Sequence, residues 1–298
     1  MTKSPKDNLF VLVKSLTKSE KRQFKLYVGR LGVNEDSKFL LLFNLLQKLK
    51  SYNESLILKA GFVKKQQLSN LKAHLYKQIL ISLRLNPSHQ NLRIQLREQL
   101  DFATILYHKG LYKQSLKLLD KAKILAILNQ EKNIAYEIVE LEKVIESQFI
   151  TRSLSNRADE LTVQAKELSA QNVIASKLSN LSLQLYGLFL KTGYVKNDEE
   201  YKKVTNYFNK RMPAFKIEKL GFREKLWLYK SYLWYSFLTQ DFKSCYKYSR
   251  KWVDLFHDNK KMISLNPVFF LRGYQYLLEA LFFIKHHQKF KSALNQFE

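Results

Sequence analysis

Cysteine is almost absent: Cys245 is the single one among 298 residues. That excludes a disulfide framework and any cysteine-based zinc or iron–sulfur site of the usual spacing. Four prolines and eight glycines exclude collagen-like and low-complexity chains and argue against a turn-rich all-β fold. No uncharged apolar run reaches the ~20 residues that a membrane-spanning helix needs. Met1-Thr2-Lys3-Ser4-Pro5 lacks the apolar core and small-residue cleavage site of a secretory signal, so the expectation is a cytoplasmic chain without a transmembrane segment. Acidic residues are scarce as well, with 26 Asp and Glu against 51 Lys and Arg, a formal net charge of +25.

What is present is a chain with 46% hydrophobic residues, enough for a large core and far from the composition of disorder. The basic excess is mostly lysine, 40 Lys to 11 Arg, whereas readers of bases and phosphates favour the bidentate fork of arginine. A genome of low GC content, which also enriches Asn, Ile, Phe and Tyr, is a second source of the same excess. The charge is uneven. Residues 1–100 and 201–298 each carry 19 basic groups against 6 and 7 acidic ones, while residues 101–200 carry 13 of each.

Nearly every segment has helical periodicity and none sustains the alternation of a strand. Ser4-Pro5-Lys6-Asp7 has the elements of a helix start, followed by Leu9, Leu12, Val13 and Leu16. Thr17-Lys18-Ser19-Glu20 is a capping box that opens a second helix, closed by Gly29-Arg30-Leu31-Gly32. Helices over about 37–50 and 53–60 follow, the latter stopped by Gly61. A long one then runs through Leu68, Leu71, Leu75, Ile79 and Leu83 to Asn86-Pro87, where proline ends it. Residues 1–86 form a helical unit on this reading, and 91–298 form about five helical hairpins. Their first helices begin near 97, 130, 172, 221 and 267 and their return helices near 112, 155, 197, 242 and 289. Stacked hairpins of this kind make an all-α, irregular α-solenoid. The last helix has barely two turns before Glu298 and no polar capping helix, the pattern of a truncated array or of an edge that a partner covers.

The clearest hairpin runs from Phe102 through Gly110-Leu111-Tyr112 to Ala122. It resembles a tetratricopeptide repeat, with Ala103, Ser115 and Ala122 as the small packing residues and Gly110 and Tyr112 as the turn. Weaker echoes lie at Leu233-Trp234…Gln240-Asp241-Phe242…Cys245…Trp252 and at Leu281…Lys289-Phe290…Ala293. Both keep an aromatic at the turn, 48 residues apart as Phe242 and Phe290, and neither keeps the glycine. The resemblance implies a groove lined by first helices that receives peptides. It places Arg97, Thr104 and Tyr107 there, and from the weaker repeats Trp227, Lys230, Trp234, Gln275, Phe282 and Lys285. The family's clamp for acidic C-terminal peptides is not reproduced, since Leu100 and Thr104 occupy its Lys and Asn places and Trp234 stands where another Asn belongs.

The pattern offers no catalytic constellation. The glycines form neither a dinucleotide fingerprint nor a phosphate loop. His286 and His287 are adjacent, and adjacent helical positions point to different faces, so no shared metal is expected. Cys245 sits where a repeat wants a small buried residue. Glu137, Glu140, Glu142 and Glu146 share one helix as a solvated face. No cofactor and no enzymatic activity are expected. The aromatic block from Tyr201 to Phe256 holds 16 of the chain's 40 aromatics. Within it, the helix over 222–239 carries aromatics around most of its circumference, the pattern of a buried helix. Its Trp and Tyr flanked by Lys also suit an acidic, partly apolar segment.

The expectation is therefore an interaction protein whose groove binds a protein or peptide, in particular an acidic one. The alternative is a nucleic-acid-binding regulator that uses the N-terminal unit. There Lys64, Lys65, Asn70 and Lys72 follow the Gly61 turn in a pattern resembling a helix-turn-helix. The Gly29–Gly32 segment has a superficial likeness to the phosphate loop of KH domains but lacks their strands. A membrane-surface adaptor that uses the basic ends is a third reading.

Overall fold

The computed structural model describes residues 7–32, 37–86, 91–148 and 156–296, and every regular element among them is helical. The chain divides into two compact units, 1–95 and 96–298.

The first unit holds α1 (Asn8–Ser15), α2 (Lys18–Arg30), α3 (Lys38–Lys48), α4 (Glu54–Lys59) and α5 (Lys65–Arg84). Ser4, Pro5 and Lys6 lie outside the described residues. The cap of α1 is Asp7, whose carboxylate accepts from the Phe10 amide at 2.9 Å. At α2 both halves of the expected box form: Thr17 Oγ1 accepts from the Glu20 amide and Glu20 Oε2 from the Thr17 amide. Helix α5 lies against α1, α2 and α3. Val13, Val28, Phe43 and Ile79 are fully enclosed between them, with Phe24 packed on Phe43 at 4.6 Å between ring centroids. Burying each such side chain contributes about 1.5–3 kcal/mol.

The second unit is a succession of helices, each packed on its neighbour, as in a helical-repeat stack. These are α6 (Leu92–His108), α7 (Tyr112–Leu128), α8 (Lys132–Gln148), α9 (Arg157–Thr192), α10 (Asp198–Arg211), α11 (Phe222–Leu238), α12 (Phe242–His257), α13 (Lys261–Leu265), α14 (Pro267–Phe283) and α15 (His287–Asn295). Small residues set the closest approaches. Ser115 Oγ on α7 donates to the Ala103 carbonyl on α6 at 2.8 Å, and Ser231 Oγ on α11 donates to the Leu178 carbonyl on α9 at 3.0 Å.

Two expectations are corrected here. The helices expected to begin near 155 and 172 are one 36-residue helix, α9, about 54 Å long at 1.5 Å per residue. Ser169-Ala170-Gln171-Asn172 contains neither Pro nor Gly, so nothing forces the chain out of the helix. Asn172 instead donates its side-chain amide across to the Lys132 carbonyl. The N-terminal part of α9 lies on α8 and its C-terminal part on α11, and Gly193, at φ 69°, ends it.

The second correction concerns the turns. Gly110, Gln130, Gln240 and Lys285 all have φ between 57° and 73°. Each lies two places beyond its helix and two before the next. In each turn the following amide bonds back five residues: Leu111 to Leu106, Glu131 to Ala126, Asp241 to Ser236 and His286 to Leu281, at 2.9–3.0 Å. This is one Schellman-type turn used four times. Three of its copies place a side chain where glycine fits best, at a cost of ~1 kcal/mol each. The same register puts His287, not Phe290, opposite Phe242, so these turns recur after 45 residues, from Gln240 to Lys285. Phe290 lies one turn into α15 and packs against the buried cluster that holds Val253, Tyr274 and Leu281.

Candidate functional site

Helices α9, α11 and α14, with α12 behind them, border a cleft of about 540 Å³. Its walls are Ser179, Asn180, Ser182, Leu183 and Tyr186 of α9, and Trp227, Lys230 and Trp234 of α11. Trp252 of α12 and Val268, Phe269, Arg272 and Tyr276 of α14 complete it. All three tryptophans of the chain are among them.

The helical repeat explains the convergence. Trp227, Lys230 and Trp234 are three and four residues apart, so they share one face of α11. On α14, Val268/Phe269, Arg272 and Tyr276 follow the same spacing. Trp234 meets Tyr186 at 4.7 Å and Tyr276 at 5.5 Å between centroids, and Trp252 meets Tyr276 at 5.8 Å. Lys230 Nζ stands 4.8 Å over the Trp227 ring and 5.5 Å over that of Phe269, a cation–π arrangement.

The electrostatics are one-sided. No Asp or Glu lines the cleft. Burial holds the Lys230 ammonium below the ordinary lysine range, and the nearby Arg272 charge adds to the effect. Arg272 donates one N–H group to Gln275 Oε1 at 2.6 Å, and Gln275 in turn donates to Glu279. Three buried groups in the wall have no hydrogen-bond partner: Trp234 Nε1, Trp252 Nε1 and Ser182 Oγ. Their residues are 6%, 1% and 0% exposed. An unpaired polar group of this kind costs about 1–3 kcal/mol, so three around one cavity are a local expense within a tightly packed stack.

Gly273 makes the position of Trp252 possible. A Cβ there would meet the indole Cδ1 at 3.0 Å and Nε1 at 3.1 Å. A larger groove of about 820 Å³ lies between α9 and α10. None of its lining residues carries a buried unpartnered polar atom, and its Lys203 pairs with Glu199 at 2.6 Å.

Of the residues expected from sequence, Trp227, Lys230 and Trp234 come together in the cleft. The others lie elsewhere. Arg97 is exposed on α6. Tyr107 donates its hydroxyl to Gln148 at 2.8 Å, and Thr104 donates to the Leu100 carbonyl of its own helix. Phe282 is 69% exposed at the end of α14, Lys285 is the turn residue after it, and Gln275 touches the site only through Arg272. Sequence reasoning missed Ser182, Tyr186, Trp252, Arg272 and Tyr276, although the rarity of tryptophan was a usable signal for Trp252.

In the first unit Lys64 precedes α5 and Lys65 opens it. Both are exposed, as is Asn70. Lys72 is bonded to the Asp7 carboxylate and to the Tyr52 hydroxyl, which leaves its charge already matched.

A second polar centre corrects another expectation. Glu142 is not on a solvated face; it is fully buried. Both its oxygens accept from Lys123 Nζ, at 2.6 and 2.9 Å, and Arg157 lies at 3.4 Å. Burial raises the Glu142 pKa although Lys123 opposes the shift. Arg157 also approaches Asp120 and Glu146. Cys245 is buried, and burial pushes its thiol up to about 12, so it packs rather than reacts.

Among the described residues no group of His, Cys, Asp and Glu is arranged to hold a metal, and no helix is long and apolar enough to cross a membrane. No protein-family model, curated protein or solved structure matches the chain.

Proposed function

We propose that the chain is a non-enzymatic, tetratricopeptide-like interaction protein whose α9/α11/α14 cleft receives an acidic, partly apolar peptide. One observation carries the reading: three tryptophans and two cations without a carboxylate counterpart line a single cleft. Aromatic side chains supply large contact area with little entropy to lose. Lys230 and Arg272 supply attraction for negative charge, and because they are partly shielded from water that attraction is stronger than at an open surface. The fourfold turn supports the tetratricopeptide-like description, since it gives hairpins without sequence similarity a common geometry. Cytoplasmic residence fits this role and belongs to the same proposal.

A fluorescence-anisotropy screen of labelled acidic peptides against the full chain tests the reading. Binding should be saturable and should be lost in Trp227→Ala/Lys230→Glu/Trp234→Ala. Peptide binding that survives the triple substitution removes the cleft from the account.

A further inference from the structure

Helix α9 has a hollow on each of its flanks. Ser179 and Leu183 face the tryptophan-lined cleft. Lys177 and Gln184 face a second depression, of about 340 Å³, whose far wall includes Lys210 and Arg211 at the end of α10. Each pair follows the helical repeat, so each belongs to one face of α9. Asn180, exposed on the crest between the two faces, borders both hollows. The cleft and the second depression therefore meet across a single helix. Gln184 in turn also borders the 820 Å³ groove between α9 and α10.

The second flank is as one-sided in charge as the cleft. No Asp or Glu lines the 340 Å³ depression, and its Lys177, Lys210 and Arg211 are all exposed. Among the described residues no carboxylate pairs with any of the three. In the adjoining groove the one lining carboxylate is Glu200, and its Oε2 already accepts from the Lys196 amide at 2.9 Å.

We infer that the partner is an extended segment that leaves the cleft over Asn180 and sets a run of carboxylates against Lys177, Lys210 and Arg211. This footprint rests on the peptide reading of the cleft and adds to it a second contact and a spacing. A helix with its side chains is about 10–12 Å across, and an extended chain advances ~3.3–3.6 Å per residue. Roughly three or four residues thus separate the apolar anchor in the cleft from the first carboxylate of the run. A protein segment suits the surface better than single-stranded nucleic acid, which needs rings for its bases as well as cations for its backbone. The second flank offers one lining ring, Tyr207, and the Arg211 guanidinium stands 3.8 Å over it.

Fluorescence-anisotropy titration of the full chain at low salt tests the footprint. The probes are labelled peptides with a Phe-Glu anchor, a Gly-Ser-Gly-Ser spacer and a tail of either Glu-Glu-Glu or Gln-Gln-Gln, each made in both chain directions. Exposed ion pairs are weak singly, so the Glu tail should tighten binding about five- to tenfold over the Gln tail in at least one direction. The gap should narrow as salt is raised. Lys177→Glu/Lys210→Glu should abolish it, whereas Lys230→Glu weakens both peptides. Partial unfolding of a variant would lower both affinities alike and leave their ratio intact. Equal binding of the two tails in both directions, or a gap that survives Lys177→Glu/Lys210→Glu, overturns the footprint and leaves the peptide reading standing. Glu-tailed binding untouched by Trp227→Ala/Lys230→Glu/Trp234→Ala removes the cleft, and the footprint with it. A single-stranded oligonucleotide that binds more tightly than the Glu-tailed peptide, and is weakened by Lys177→Glu/Lys210→Glu, overturns the footprint in favour of nucleic acid.

Discussion

The second unit buries charge and polarity in two places, and they are treated in opposite ways. Between α7, α8 and α9, Glu142 has both oxygens engaged by Lys123 and a second cation, Arg157, beside it. Between α9, α11 and α14, Lys230 and Arg272 face no carboxylate, and two indoles and a hydroxyl have no partner. Both centres lie along α9, one toward each end. A buried ion pair that is complete holds neighbouring helices in one arrangement, and breaking it leaves a stranded charge. A buried donor set that is incomplete does nothing for the folded chain by itself. On the proposed reading the difference separates a joint from a receptor: one centre answers its own charges, and the cations of the other are left for an acidic partner.

Substitutions can break that contrast. The largest effect is expected at the joint. Glu142→Leu leaves Lys123 with only the exposed Asp120, at 3.5 Å, and should cost about 3–5 kcal/mol in urea denaturation, while Lys123→Met with Glu142→Leu recovers most of it. A loss below about 1 kcal/mol for the single change would put the two centres in the same class. Next comes the cleft itself. Lys230→Glu should weaken an acidic ligand by at least tenfold, about 1.4 kcal/mol, with a smaller change in the denaturation midpoint than Glu142→Leu. Gly273→Ala sets a methyl against Trp252 and should cost roughly 1–3 kcal/mol through overpacking, with a shifted tryptophan emission that Glu142→Leu/Lys123→Met does not give. Lys285→Gly relieves a left-handed residue far from both centres. It should raise stability by up to about 1 kcal/mol and leave ligand binding unchanged.

Much of this was legible one helix at a time. Thr17 and Glu20 marked the start of α2, Gly193 the end of α9 and Pro267 the start of α14, because caps and breakers act within a few residues. Trp227, Lys230 and Trp234 were readable as one face of one helix for the same reason. What failed was what depends on neighbours. A new helix was expected to begin near 172, but the Asn172 side chain finds an acceptor on α8 and one helix runs through. Glu142 looked solvated because its partner, Lys123, stands 19 residues earlier on another helix. The turn at Gln240 was legible from Phe242, whereas the one at Lys285 was read three residues late, at Phe290, because tertiary packing, not glycine, holds Lys285 left-handed. Ser182, Trp252, Arg272 and Tyr276 come from three other helices, and only the packing of α9, α11, α12 and α14 brings them together.

Titration of a labelled acidic peptide against the parent chain and Lys230→Glu tests the central claim most directly, with urea denaturation of both chains alongside. The parent should bind saturably and Lys230→Glu at least about tenfold more weakly, while its stability stays within about 1 kcal/mol of the parent. Equal binding by the two chains, or weaker binding accompanied by a loss of more than about 1 kcal/mol of stability, would contradict the account. The cation would then belong to the fold and not to a ligand.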